Sequence, residues 1–145
     1  MLSVSSYDPA YVANCGSQIN KQLSAYRKLL KAGEDEAASG SPRLCDAIGA
    51  FEPLFFNHMV IALDNYFCHR SRNLELKDGN PLNEVRVLCS SLMANDGVLA
   101  ADKQIRLDPE KSVLGLRDGD AVELTEADFR RLSKAFLAEI ERKYP

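Results

Sequence analysis

Behind Asp8-Pro9, the residues Val12, Cys15, Ile19, Leu23, Tyr26, Leu29 and Leu30 recur at steps of three and four. That spacing lays them on one face of a 3.6-residue helix; a half-buried strand would need apolar residues at every second position. Asp8 offers a side-chain acceptor to the first free N–H groups, and Pro9 sits where its missing N–H costs nothing. The pattern predicts a long amphipathic helix that stops at Gly33, a residue suited to the left-handed closing conformation. One apolar face on so long a helix needs other elements to cover it, which confines the chain to folds that layer helices.

The rest of the chain supplies those layers. Residues Glu34 to Pro42 are small and polar and read as an exposed loop, too short to divide the chain into two domains. A second helical pattern covers about Leu44 to Asn73, with Gly49 and Pro53 as points of bending. From Leu54 to Phe67 it is apolar almost all round, which predicts a helix at the centre of a bundle. Asn80-Pro81 repeats the cap-then-proline start, and Leu82, Val85, Leu88, Cys89 and Leu92 form the buried face of a third helix ending at Asn95-Asp96-Gly97. The segment from about 98 to 124 mixes apolar and polar residues around Arg117-Asp118-Gly119-Asp120. That turn signal predicts a short β-hairpin from about Ser112 to Leu124. Thr125-Glu126-Ala127-Asp128 then starts a last helix with Phe129, Leu132, Phe136, Leu137 and Ile140 on its apolar stripe. The expectation is one mostly α domain over residues 1–145, a bundle of about four helices with a β-hairpin before the last.

With 46% apolar and 27% charged residues, the 145-residue chain has the composition of a globular domain. Its net charge of -3 argues against a nucleic-acid partner, since phosphate-backbone binders carry a basic excess. No apolar run approaches the ~20 residues that span a bilayer. The stretch Met1 to Asp8 lacks the charged start and apolar middle of a secretion signal, so a cytoplasmic location is expected. Cys15, Cys45, Cys68 and Cys89 stand 21 to 30 residues apart (15 to 45, 45 to 68, 68 to 89) with no C-x-x-C pair. They read as small apolar residues in a reducing compartment, not as disulfides or zinc ligands.

The densest polar stretch runs from His69 through Arg70, Arg72, Glu75, Asp78, Asn80, Asn83 and Glu84 to Arg86. Two helices meeting there can converge guanidinium groups on an anion or on a partner's carboxylates. The competing reading is a solvated corner in which Asp78 and Asn80 serve the turn. Asn65 and His69 each fall within about 20° of His58 around the second helix, a polar stripe on an otherwise apolar surface. Buried polar groups need partners, so the stripe is costly unless it contacts something. His58 and His69 lie about 16 Å apart along the axis, too far to share a metal ion, and no metal or cofactor is expected. Adjacent Cys68 and His69 point about 100° apart and do not make a nucleophile and base. No phosphate-cradling glycine loop, nucleophile elbow or calcium loop is present. In the Arg-x(4–6)-His motif of small RNA-cleaving helical domains a histidine follows the arginine; here both histidines precede Arg70 and Arg72.

Two functional readings follow. The first is a non-enzymatic interaction module with a protein partner, a homodimer in the simplest case, using His58, Asn65, His69, Arg70, Arg72, Asn80 and Arg86 as candidate contacts. The second is a hydrolase-like enzyme for a phosphorylated or nucleotide substrate: Arg70 and Arg72 bind the anion, His69 acts as acid or base, and Glu75 or Glu84 orients it. The second requires those side chains to converge in a cleft.

Overall fold

A computed structural model describes residues 3–145; Met1 and Leu2, the start of the stretch read above for a secretion signal, lie outside the described residues. Five helices follow in order: α1 (Pro9–Ala38), α2 (Arg43–Tyr66), α3 (Arg72–Glu75), α4 (Pro81–Ala94) and α5 (Glu126–Lys143). The starts of α1, α4 and α5 obey the capping residues; α2 and α3 begin without a side-chain cap. Asp8 accepts from Ala10 N, Asn80 accepts from Leu82 N and Asn83 N, and Thr125 and Asp128 form a reciprocal capping box. α1 packs on α2 and α5, and those two pack in turn on α4. Phe56, Val60, Leu63 and Phe67 meet Phe129, Leu132, Phe136 and Ile140 in the fully buried centre. No helix among the described residues is long and apolar enough to cross a membrane.

Gly33 does not end α1. It is buried against α2, where an added Cβ would come 2.7 Å from Ile48 Cδ1 and 3.5 Å from Cys45 Cα. Its small size serves close helix approach, so the helix runs on to Ala38. The turn comes at Gly40, whose φ is 104°. The expected loop at 34–42 is exposed, but most of it is helical.

The central helix is α4, not α2. Every residue from Leu82 to Cys89 except Arg86 is buried, because the chain from 98 to 124 wraps over α4 and brings in Leu99, Ile105, Val122 and Leu124. α2 keeps one face bare, with Leu54 62% exposed. The sequence pointed to α2 because it is the more apolar; α4 buries Asn83, Glu84 and Ser91 by pairing each of them.

The β-hairpin is not formed: no sheet occurs among the described residues. Val113 N and Leu114 N donate to the two Glu84 carboxylate oxygens at 2.8 and 3.0 Å, and Gly115 turns the chain with φ 70°. The N–H groups that would have paired with 120–124 are thereby spent. Instead the two ends of the segment meet in one antiparallel bridge, Val98 with Ala121, supported by Leu99 N to Asp120 O at 2.8 Å. The Asp118-Gly119 turn does form, with Asp120 Oδ2 accepting from Arg117 N.

Candidate functional site

The polar stretch after α2 folds around one short pairing. Val4 N donates to His69 O and Ser71 N to Val4 O, both at 2.7 Å, giving a parallel bridge between Val4 and Arg70. That bridge draws the chain out of helical geometry after Tyr66 and turns Arg70 inward. The Arg70 side chain has 0% exposure. Its Nε donates to Glu75 Oε1 at 2.8 Å, Nη1 to Phe67 O at 3.1 Å and Nη2 to Leu82 O at 3.4 Å. Nη1 also stands 2.9 Å from Asp64 Oδ1, and the guanidinium lies 5.3 Å from the Phe136 ring centre.

Glu75, equally buried, is the hub. Arg86 grips it with Nε to Oε2 at 2.9 Å and Nη2 to Oε1 at 2.6 Å, and Asn83 Nδ2 donates to Oε2 at 3.0 Å. Burial alone would push this carboxyl up. The Arg86 hydrogen bonds and the charges of Arg70 and Arg86 outweigh it and hold Glu75 below its ordinary 4.5. The Glu75 carbonyl oxygen accepts from Asn80 Nδ2 at 2.7 Å and from Lys143 Nζ at 2.8 Å. Tyr144 Oη donates to Ser71 O at 2.7 Å, so the end of α5 is tied to the same junction. Burial pushes the Tyr144 phenol up to about 12. Glu84 is separate, raised by burial against the two N–H groups it accepts.

The candidates therefore divide. Arg70, Glu75, Asn80, Asn83 and Arg86 come together, and Arg70 and Glu75 are spent on one another inside the protein. His69 and Arg72 are exposed, and among the described residues neither side chain has a hydrogen bond or ion pair to this cluster. His58 and Asn65 are also exposed; His58 Nδ1 lies 2.9 Å from Leu54 O. The polar stripe on α2 faces solvent and needs no buried partner. Sequence reasoning missed Lys143 and Tyr144, which reach residues 68 and 73 positions away. No local pattern announces such a contact.

Two surface features accompany this junction. Leu76 has φ 66° and ψ -172°, a conformation that glycine adopts and other residues enter at about 1–3 kcal/mol. On α2, Leu44, Ala47, Phe51, Leu54, His58, Ile61 and Asn65 follow steps of 3, 4, 3, 4, 3 and 4. All but Ile61 are exposed, Phe51 at 45% and Leu44 at 39%. Between Asp46 and Asp64 the only charged residue is Glu52, whose Oε2 is turned to the N–H of Glu126 at 2.9 Å. No known protein family matches the chain, and no curated protein or solved structure is significantly similar to it.

Proposed function

We propose that the protein is a non-enzymatic interaction module that self-associates through the exposed face of α2. The observation that carries this reading is the uncharged 3.5-residue seam from Leu44 to Asn65. An exposed helix of a monomer normally turns charges to water, whereas a period of 3.5 is the spacing at which two helices share a continuous seam. Pairing α2 with its twofold copy in antiparallel sense brings three layers into register. Leu44 faces the partner's Ile61, Ala47 the partner's His58, and Phe51 the partner's Leu54. These layers extend over about 26 Å of helix, with Asn65 at the rim. Leu54, the most exposed residue of the seam, falls near the middle, where anchors contribute most. The buried Arg70–Glu75–Arg86 cluster supports a structural role for the groups that would otherwise serve catalysis. Four free cysteines suit a reducing compartment, and we place the protein in the cytoplasm.

Sedimentation velocity on the full chain and on Leu54→Glu tests the proposal. A dimer at tens of micromolar that becomes monomeric in Leu54→Glu, with helical content unchanged by circular dichroism, supports it. A monomeric native protein, or a variant that stays dimeric, overturns it.

A further inference from the structure

The seam on α2 is not the only surface the fold leaves bare. Leu76 is 50% exposed and Leu74 37%, although both belong to a turn held by several hydrogen bonds. Leu76 N donates to Arg72 O at 3.2 Å, Leu76 O accepts from Asn83 Nδ2 at 2.9 Å, and the preceding carbonyl is clamped by Asn80 and Lys143. Glycine would adopt this backbone without strain, and the leucine side chain is half in water. A bulky residue kept in a glycine conformation, braced by a buried ion cluster and turned outward, matches what strained functional positions share.

The rim of this turn is basic. Arg72 and Lys77 flank the two leucines. The segment carrying Lys103 and Arg106 runs alongside, with Arg106 N bonded to Lys77 O at 3.1 Å and Lys77 Nζ to Gln104 at 2.9 Å. None of these four cations takes part in an ion pair among the described residues. Two exposed acids stand among them, Asp78 accepting from Asn80 and Asp102 from Gln104 N, so the four cations exceed these two acids by two charges (4 − 2), while Glu75 is buried against Arg70 and Arg86. In a chain of net charge -3, this is a local positive field around two aliphatic anchors.

We infer that the Arg72–Lys77 turn docks an acidic protein segment bearing paired apolar side chains, with Leu74 and Leu76 as anchors and Arg72, Lys77, Lys103 and Arg106 as the charged rim. Four cations around an apolar centre suit a peptide better than a nucleic acid, whose backbone contacts need charge without leucines. The docking is independent of self-association through α2.

The test is selection of a phage-displayed random 16-residue library on the full-length protein, followed by fluorescence anisotropy with the enriched peptides. The expected peptides are rich in Asp and Glu, carry Leu, Ile or Phe in pairs, and bind less tightly as salt rises. Leu76→Gly and Arg72→Glu each weaken binding at least about tenfold. Leu76→Gly also melts a few degrees higher than the native protein, because it releases strain. Leu54→Glu leaves peptide binding unchanged, which separates this surface from the α2 seam. Any one of four results overturns the inference: no enrichment over an unrelated helical protein, basic or uncharged selected peptides, binding indifferent to Leu76→Gly, or a lower melting temperature for that variant. Tighter binding of a single-stranded oligonucleotide at the same turn assigns the site to nucleic acid instead and overturns it equally.

Discussion

Glu75 holds its environment together by charge, and removing that charge leaves the buried Arg70 with Asp64 as its one remaining ion-pair partner among the described residues. Glu75→Gln is therefore expected to cost about 3–5 kcal/mol in urea unfolding, as for other buried pairs that lose one partner. The pH dependence has a definite sign. Glu75 lies below 4.5 in the folded state, so the unfolded chain binds more protons there. Its contribution is complete above about 4.5 and is lost as pH falls through the lowered folded value. Glu84, raised by burial, acts in the opposite sense: its contribution is present below 4.5 and fades as pH rises. Urea midpoints followed from neutral pH downward should fall more steeply for the native protein than for Glu75→Gln. Equal slopes would show that Glu75 does not carry the acid sensitivity. At this scale the sequence was informative about composition and blind to pairing. Arg70, Glu75 and Arg86 stand within one polar stretch, yet nothing in it shows that they neutralise one another indoors or that Lys143 closes the cluster.

Helix starts were the legible part of the elements, because a cap is a local event. Asp8, Asn80 and Thr125 each accept from backbone N–H groups within three residues, and each marks the start it should. Thr125→Ala, which breaks the reciprocal box at α5, should lower stability by about 1 kcal/mol, measured by thermal unfolding, while Thr125→Ser should retain most of it. No change in Thr125→Ala would mean that packing of Phe129 and Leu132 sets the start of α5 unaided. The end at Asn95 was legible too, whereas the end of α1 and the strand assignment failed for a non-local reason. Gly33 is small for the sake of Ile48, and the N–H groups of Val113 and Leu114 are taken by Glu84 from about 30 residues away. α2 was read as central since apolarity all round suggests burial; the 3.5-residue seam explains the same apolarity with one face still open.

At the scale of the whole molecule, the packing of the described residues leaves exposed both the uncharged seam of α2 and the strained turn at Leu76. We propose a copy of the same chain for the first and an acidic peptide for the second; a dimer so assembled would present two identical turns at fixed separation. Both surfaces consist of residues whose types were visible in the sequence, but whether they face water is decided by the packing of distant elements. The central claim is the pairing of α2 with itself, and covalent trapping tests it directly. Ala47→Cys and His58→Cys are prepared separately, each in a chain carrying Cys45→Ser and Cys68→Ser, and oxidised mildly alone and mixed. The antiparallel seam predicts a covalent dimer when the two are mixed and none from either alone, because residue 47 faces the partner's residue 58 and lies about 16 Å along the axis from the partner's residue 47. Trapping of Ala47→Cys with itself, or no more product from the mixture than from the separate variants, would contradict the account.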